Sequence, residues 1–291
     1  MSVAETLSAA VAAGTPAALV TVVEARGSTP REAGVTMAVT ATDIAGTIGG
    51  GRLEYDAIER ARALLAAGEN DVEMDVPLGP EIGQCCGGRV KLAIRRADPA
   101  LIAGMLAEEE AARRARPAVL VFGAGHTGRA LAAALALLPL NVRLVDSRPE
   151  MLDGLPDDVT AVAAALPEAE IADAPAGAAY VVMTHTHSLD FLLTAAALAR
   201  GDAAYVGMIG SATKRERFRR HLEAEGRGAD IARLTLPIGG AALRDKRPAV
   251  IAALTAAEIA TCLFSDQQEK LSDRFAALAS QCNSPRTRST G

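Results

Sequence analysis

Two neighbouring cysteines pose the first chemical question. Cys85 and Cys86 stand in the run Gln84-Cys85-Cys86-Gly87-Gly88. A thiolate can bind a soft metal or carry sulfur as a persulfide, and the flanking glycines let a large ligand come close. The spacing argues against zinc, because no second pair of Cys or His has zinc-site spacing. The same two thiols serve equally as small, buried, inert side chains.

Four further constellations have residue types that could do chemistry. Gly123, Gly125 and Gly128 form GAGHTG, with His126 inside it, after a strand of VLVF type. Such glycines allow a tight turn and close backbone approach. The helix they open offers free N–H groups to a phosphate, and Asp146, at the end of the next strand, could bond a ribose hydroxyl. The same pattern suits a Rossmann fold that binds no dinucleotide. Gly49, Gly50 and Gly51 precede a second helix, where an anion could sit with Arg52 as a charged donor, or where the chain simply turns. Thr184-His185-Thr186-His187 follows another apolar strand and precedes a helix with Asp190 in its first turn. Two His at that spacing could bind metal or move protons, or the segment is a polar strand-end loop. Thr213–His221 (TKRERFRRH) makes one helix strongly basic, suited to a phosphate, an acidic partner or plain solvation.

Positioning these residues takes two kinds of domain. The N-terminal part reads as strands at Ala17–Ala25, Val35–Val39, Val72–Val76 and Val90–Ile94, with an amphipathic helix over Arg52–Ala67 that stops at Gly68. Asp98 followed by Pro99 starts a helix that runs to about Arg114. From Pro117 strands and helices alternate, which implies a parallel sheet covered on both faces. The expected fold is therefore α/β: an N-terminal α+β domain over 1–97, a helical linker over 98–116, a Rossmann-like doubly wound domain over 117–265, and a C-terminal extension over 266–291, partly disordered.

Composition sets limits. With 291 residues, two domains are the natural expectation. A net charge of −5 argues against broad nucleic-acid binding. No apolar run reaches the ~18–20 residues of a bilayer span, so no membrane association is expected. Glu5, with no basic stretch before it, argues against a secretory signal. The four cysteines lack a disulfide-framework spacing, which suggests a reducing, cytoplasmic setting. A homodimer is expected from base rates.

Together these segments resemble the XdhC/CoxI family, the xanthine dehydrogenase accessory proteins. The matching stretches are GSTPREAGVTMAV (Gly27–Val39), GTIGGGRLE (Gly46–Glu54), GQCCGGRV (Gly83–Val90), VFGAGHTGRAL (Val121–Leu131), VDSRPE (Val145–Glu150), YVGMIGSATKRERF (Tyr205–Phe218) and PIGG (Pro237–Gly240). The family pattern has an acid where this chain has Thr186, and a different loop where this chain has AALRDKRP (Ala241–Pro248). The resemblance implies a cytoplasmic chaperone, not an enzyme with catalytic residues of its own. Such a chaperone binds the molybdenum cofactor in its molybdopterin form, protects it, supports its sulfuration by a cysteine desulfurase and inserts it into xanthine dehydrogenase. Its implied partners are that enzyme, the desulfurase and the proteins of molybdenum cofactor biosynthesis. The resemblance places the Gln84-Cys85 loop nearest the cofactor and makes Cys85 the metal or sulfur contact. The competing expectation is a nicotinamide-dependent oxidoreductase, with NAD(P) or another nucleotide at Gly123–Gly128 and His185 or His187 as acid and base.

Overall fold

The computed structural model describes residues 1–78, 87–240 and 245–282, with side chains through residue 265. Gln84, Cys85 and Cys86 lie outside the described residues. The chain divides into two compact units, Met1–Ala112 and the remainder from Arg113.

The first unit is built on an antiparallel sheet. Helix α1 (Val3–Ala12) opens with a capping box, in which Ser2 accepts from Glu5 N–H while the Glu5 carboxylate accepts from Ser2 N–H. Strands β1 (Ala17–Arg26), β2 (Thr36–Thr40) and β3 (Ile44–Gly46) follow, then helix α2 (Gly51–Ala67), β4 (Asp71–Pro77), β5 (Arg89–Arg96) and α3 (Pro99–Arg114). The strand order is β3-β2-β1-β5-β4. Exposure alternates along β4, as expected of a sheet with unequal faces. Leu53, Ala57, Ala61 and Leu64 form the helical stripe that packs α2 against Val20, Val22, Leu92 and Ile94. The other face packs Leu7 of α1 and Ile102 of α3 against Leu19 and Ala38. Asp98 caps α3 through a 2.8 Å bond from Leu101 N–H. The helix expected as a linker is thus part of the first unit's second core, because its apolar positions find a sheet face to cover.

The second unit is the doubly wound domain expected from the alternation. Its strands are β6 (Ala118–Phe122), β7 (Asn141–Asp146), β8 (Val159–Ala163), β9 (Ala179–Val182), β10 (Tyr205–Met208) and β11 (Leu234–Thr235). All pairings are parallel, in the order β11-β10-β9-β6-β7-β8. The order reverses between β6 and β9, so the crevice where such folds take ligands lies above the carboxyl ends of those two strands. Helices α4 (His126–Leu135) and α8 (Pro248–Cys282) pack on one face with Val121, Leu144 and Val181. Helices α6 (His187–Arg200) and α7 (Ala212–Ala224) cover the other with Phe122, Tyr180 and Met208. The short α5 (Glu168–Ala172) joins β8 to β9.

Helix α8 corrects one expectation. Pro248–Ser265 is long and apolar enough to cross a membrane by length and composition alone. Its apolar residues have a core to serve: Ala252, Ala256, Ile259 and Leu263 are buried against the parallel sheet's helix layer. The helix also continues unbroken through residue 282, past the expected domain end at 265.

Candidate functional site

Three glycine-rich segments of the first unit meet at close range. Gly88 lies so near the Ser28 loop that a Cβ there would sit 2.4 Å from the Ser28 carbonyl oxygen. Gly87 bridges Ser28, and the Gly88 carbonyl accepts from Leu78 N–H at 2.8 Å. A Cβ on Gly49 would sit 2.6 Å from the Pro30 ring. The Gly27–Gly34 loop, the Gly49–Gly51 turn and the stretch just after Cys86 therefore form one cluster, where side chains would prevent the backbones from closing.

The expected anion seat at Gly49–Gly51 is filled from within. Glu54, in the first turn of α2, accepts from Ile48 N–H at 3.1 Å, from Gly50 N–H at 3.2 Å and from the Thr47 hydroxyl at 2.5 Å. The carboxylate takes two loop N–H groups and sets a negative charge beside the start of α2, whose own first-turn N–H groups have no side-chain cap. Arg52 is not a free donor either: its guanidinium pairs with Asp56 at 2.7 Å and stands over the Tyr55 ring. Its side chain and Tyr55 are nevertheless more than half exposed.

The GAGHTG turn of the second unit is arranged differently. Gly123 has φ 109° and a Cβ there would meet the Met183 carbonyl oxygen at 2.4 Å. Gly128 packs so closely that a Cβ would sit 1.9 Å from the Gly123 carbonyl oxygen. Gly125 faces open space and serves as the N-cap of α4 without any side-chain cap. His126 is exposed beside it. The start of α4 thus keeps its unpaired N–H groups and its positive dipole end for an anion.

Asp146 occupies the position expected for a ribose acceptor, and its carboxylate is already used. Oδ2 accepts from Ala124 N–H at 2.8 Å and from an Arg148 terminal nitrogen at 3.0 Å. Oδ1 accepts from Arg148 Nε at 2.9 Å and Arg148 N–H at 3.1 Å. A carboxylate has about four acceptor positions, so none remains for a ribose hydroxyl unless Arg148 moves. Burial alone would raise the Asp146 pKa, but the bonds from Arg148 and the Ala124 N–H prevail and hold it below the usual range. The crevice above it, walled by Phe122, Ser147, His185 and Leu193, encloses only about 10 Å3.

The remaining two motifs come together. Thr184–His187 follows β9 and leads into α6, while the basic run lies on α7. That run is not a bare cationic face. Lys214 is buried and pairs with Asp190 at 2.5 Å. Arg215 donates to the carbonyls of Ile231, Leu234 and Leu236. Arg219 and Arg220 flank Glu216 and hold its carboxyl down to about 2. The Lys, Arg and Glu spacing at three and four residues was visible in the sequence, whereas Asp190 as the partner of Lys214 required the fold. The same holds for Arg148 over Asp146, two residues apart. Glu54 could have been read from its place in a first turn. Among the described residues no group of His, Cys, Asp and Glu is placed to hold a metal ion.

Two family models match the chain: the XdhC Rossmann domain over residues 119–259 and the XdhC and CoxI family over residues 10–74. An uncharacterized protein of Escherichia coli (strain K12), YqeB, is 28% identical over 232 residues, which are 77% of this chain and 39% of that protein. The chain therefore spans well under half the length of that relative. A crystal structure from Bacillus halodurans, described as a xanthine dehydrogenase, is similar with a TM-score of 0.71 at 16% identity, over 91% of this chain and 96% of that one. That likeness shows the fold.

Proposed function

Because the chain belongs to the XdhC and CoxI family, we propose that it serves xanthine dehydrogenase maturation by holding the molybdenum cofactor as cargo. In this reading the chain protects the cofactor, keeps it accessible to a cysteine desulfurase for sulfuration, and passes it to xanthine dehydrogenase in the cytoplasm. Cofactor biosynthesis proteins supply the cargo.

The observation that carries the reading is the glycine cluster of the first unit. Gly27–Gly34, Gly49–Gly51 and Gly87–Gly88 converge, and Gly87 directly follows Gln84-Cys85-Cys86 in the sequence. Gln84 offers an amide that can both donate to and accept from a pterin or an oxo group, and Cys85 offers the soft sulfur ligand. In the second unit, taken by itself, the start of α4 offers an anion seat, since Gly125 is open and its helix uncapped by any side chain. The Gly49–Gly51 turn suits an anion less well, since Glu54 holds two of its N–H groups and brings a negative charge to it. Its part is to let Pro30 and the neighbouring loops close.

The saturated carboxylate of Asp146 argues against the rival nicotinamide-dependent oxidoreductase. Release of bound small molecules from the purified chain separates the two. Oxidised extracts should show pterin fluorescence and no nicotinamide nucleotide. A stoichiometric nicotinamide nucleotide without pterin, or turnover of small carbonyl or hydroxy substrates with nicotinamide, would replace the proposal with the rival.

A further inference from the structure

Helix α8 outruns the core it packs on. It continues unbroken from Pro248 to Cys282, a length of 35 residues. Among the described side chains its core contacts end with Leu263 and Phe264. Residues 266–282 extend the helix by about 25 Å, at 1.5 Å per residue. A helical segment of that length is marginal in water unless a partner covers one of its faces.

Two faces of α8 change differently along its length. The inner face packs into the core through Ala252, Ala256, Ile259 and Leu263. Continued at helical spacing, the register positions of that face hold Asp266, Glu269, Lys270 and Asp273. It turns charged where the core contacts end. The opposite face stays apolar. Leu254 is 41% exposed, Ala257 and Thr261 are exposed, and Phe264 is half-buried. Continued in alternating steps of three and four, the same register holds Gln268, Leu271, Phe275, Leu278 and Cys282. The charged residues of 266–282, which are Asp266, Glu269, Lys270, Asp273 and Arg274, all fall outside it.

The described half of this outer face is open and uncharged. Only 28% of the apolar stretch Pro248–Ser265 is buried. Its one charged residue, Glu258, is engaged within the domain, where its carboxylate accepts from the Tyr205 hydroxyl at 2.8 Å and from Gly239 N–H at 3.1 Å.

The pattern of the seam says what covers it. Apolar positions that alternate by three and four from Leu254 to Cys282 are a heptad repeat, which keeps one face turned to a second supercoiled helix of the same period. A groove on a globular partner would require only the anchors of two or three turns. A second copy of this chain supplies the matching helix, because a two-fold pair presents the same surface from both sides. Gln268 is the one amide in the seam. A single polar residue at such a position fixes register, and Gln268 meets its own copy when the two helices run parallel.

We propose that the outer face of α8 is the docking surface for a second copy of this chain, with residues 254–282 of the two copies paired as a parallel, in-register coiled coil. The domain end of the seam carries small residues, Ala257 and Thr261, where the helices must approach beside their own domains. The free end carries the larger Leu271, Phe275 and Leu278.

The test is sedimentation of the full chain over a concentration series. The parent should be a dimer. Phe275→Glu with Leu278→Glu puts two charges in the seam and should weaken the dimer at least a hundredfold, about 2.8 kcal/mol. Ala276→Glu with Ala277→Glu puts the same charges at register positions of the inner face and should leave the dimer intact. A monomeric parent, or a dimer equally tight in the Phe275→Glu, Leu278→Glu chain, overturns the assignment and leaves the seam to a different partner. Mild oxidation of the parent gives a check independent of any variant's folding. It should join two chains through Cys282, and Cys282→Ser should lose the link. A dimer that forms no Cys282 link overturns the parallel register.

Discussion

The two glycine-rich helix starts, Gly49–Gly51 before α2 and Gly123–Gly128 before α4, look alike in sequence and differ in what they can hold. At the first, Glu54 turns back and takes the loop's N–H groups for itself. At the second, the acid comes from the neighbouring strand: Asp146 braces the loop from outside through Ala124 N–H and leaves the helix start open. Both turns give loop N–H groups to an internal carboxylate and both helix starts lack a side-chain cap. They differ in where the acid stands: Glu54 lies in the helix's own first turn, whereas Asp146 lies on the next strand and is paired with Arg148.

The largest expected effect lies within the second loop. Gly128→Ala would force a Cβ to 1.9 Å from the Gly123 carbonyl oxygen. Displacing backbone in a packed turn should destabilise by about 3 kcal/mol or more, at the upper end of overpacking costs. Gly125→Ala meets open space and should cost no more than about 1 kcal/mol, the usual loss at an N-cap. Denaturant melts of both variants measure the contrast. Equal losses would mean that the loop's glycines are not divided between packing and access.

Next in size is Glu54→Ala, which should convert the filled turn into an open one. Three hydrogen bonds are lost, so stability should fall by about 1–3 kcal/mol. The freed donors should then bind sulfate or phosphate, and added sulfate should restore part of the melting temperature. Sulfate rescue equal to that of the parent chain would break the comparison.

Asp146→Asn tests the brace through pH. The folded carboxyl lies below its usual value, so its contribution is complete above the unfolded value of about 3.9 and is lost as pH falls through the lowered folded value. The stability gap between parent and variant should be constant from pH 7 to about pH 5 and narrow below pH 4. A gap that widens on acidification would mean that the carboxylate is not the stabilised form.

The sharpest effect on specificity is expected from Arg148→Ala. It removes two side-chain bonds from the buried Asp146 carboxylate, so it should cost about 1–3 kcal/mol. It frees Asp146 acceptors for a ribose. The variant should acquire measurable nicotinamide dinucleotide binding that the parent lacks. Binding by the parent chain equal to that of the variant would show that Arg148 does not close the ribose position.

Most of the fold was legible from local patterns. The alternation after Pro117 gave the parallel sheet, because buried parallel strands such as Val119–Phe122 read as continuous apolar runs. Helix α2 followed from its stripe and its stop at Gly68. Helix α1 was missed although Ser2 and Glu5 spelled its capping box, and α3 was misread as a linker because its cover on Leu7 and Leu19 is a tertiary fact. The glycine loops were found by composition, but their capacity was not. Glu54 lies four residues past Gly50, within reach of local reading. The Asp190–Lys214 pair spans 24 positions and exists only because β9 and β10 are neighbours.

The cargo reading stands or falls on Cys85, which lies outside the described residues. The decisive measurement is pterin bound per chain, together with xanthine dehydrogenase activation, for the parent, Cys85→Ala and Cys86→Ala side by side. Both substitutions change little volume. The expected result is that the parent carries pterin and activates its client, that Cys85→Ala loses activation and at least tenfold of its cofactor affinity, about 1.4 kcal/mol, and that Cys86→Ala retains both. A Cys85→Ala chain that binds cofactor and activates xanthine dehydrogenase like the parent would contradict the assignment.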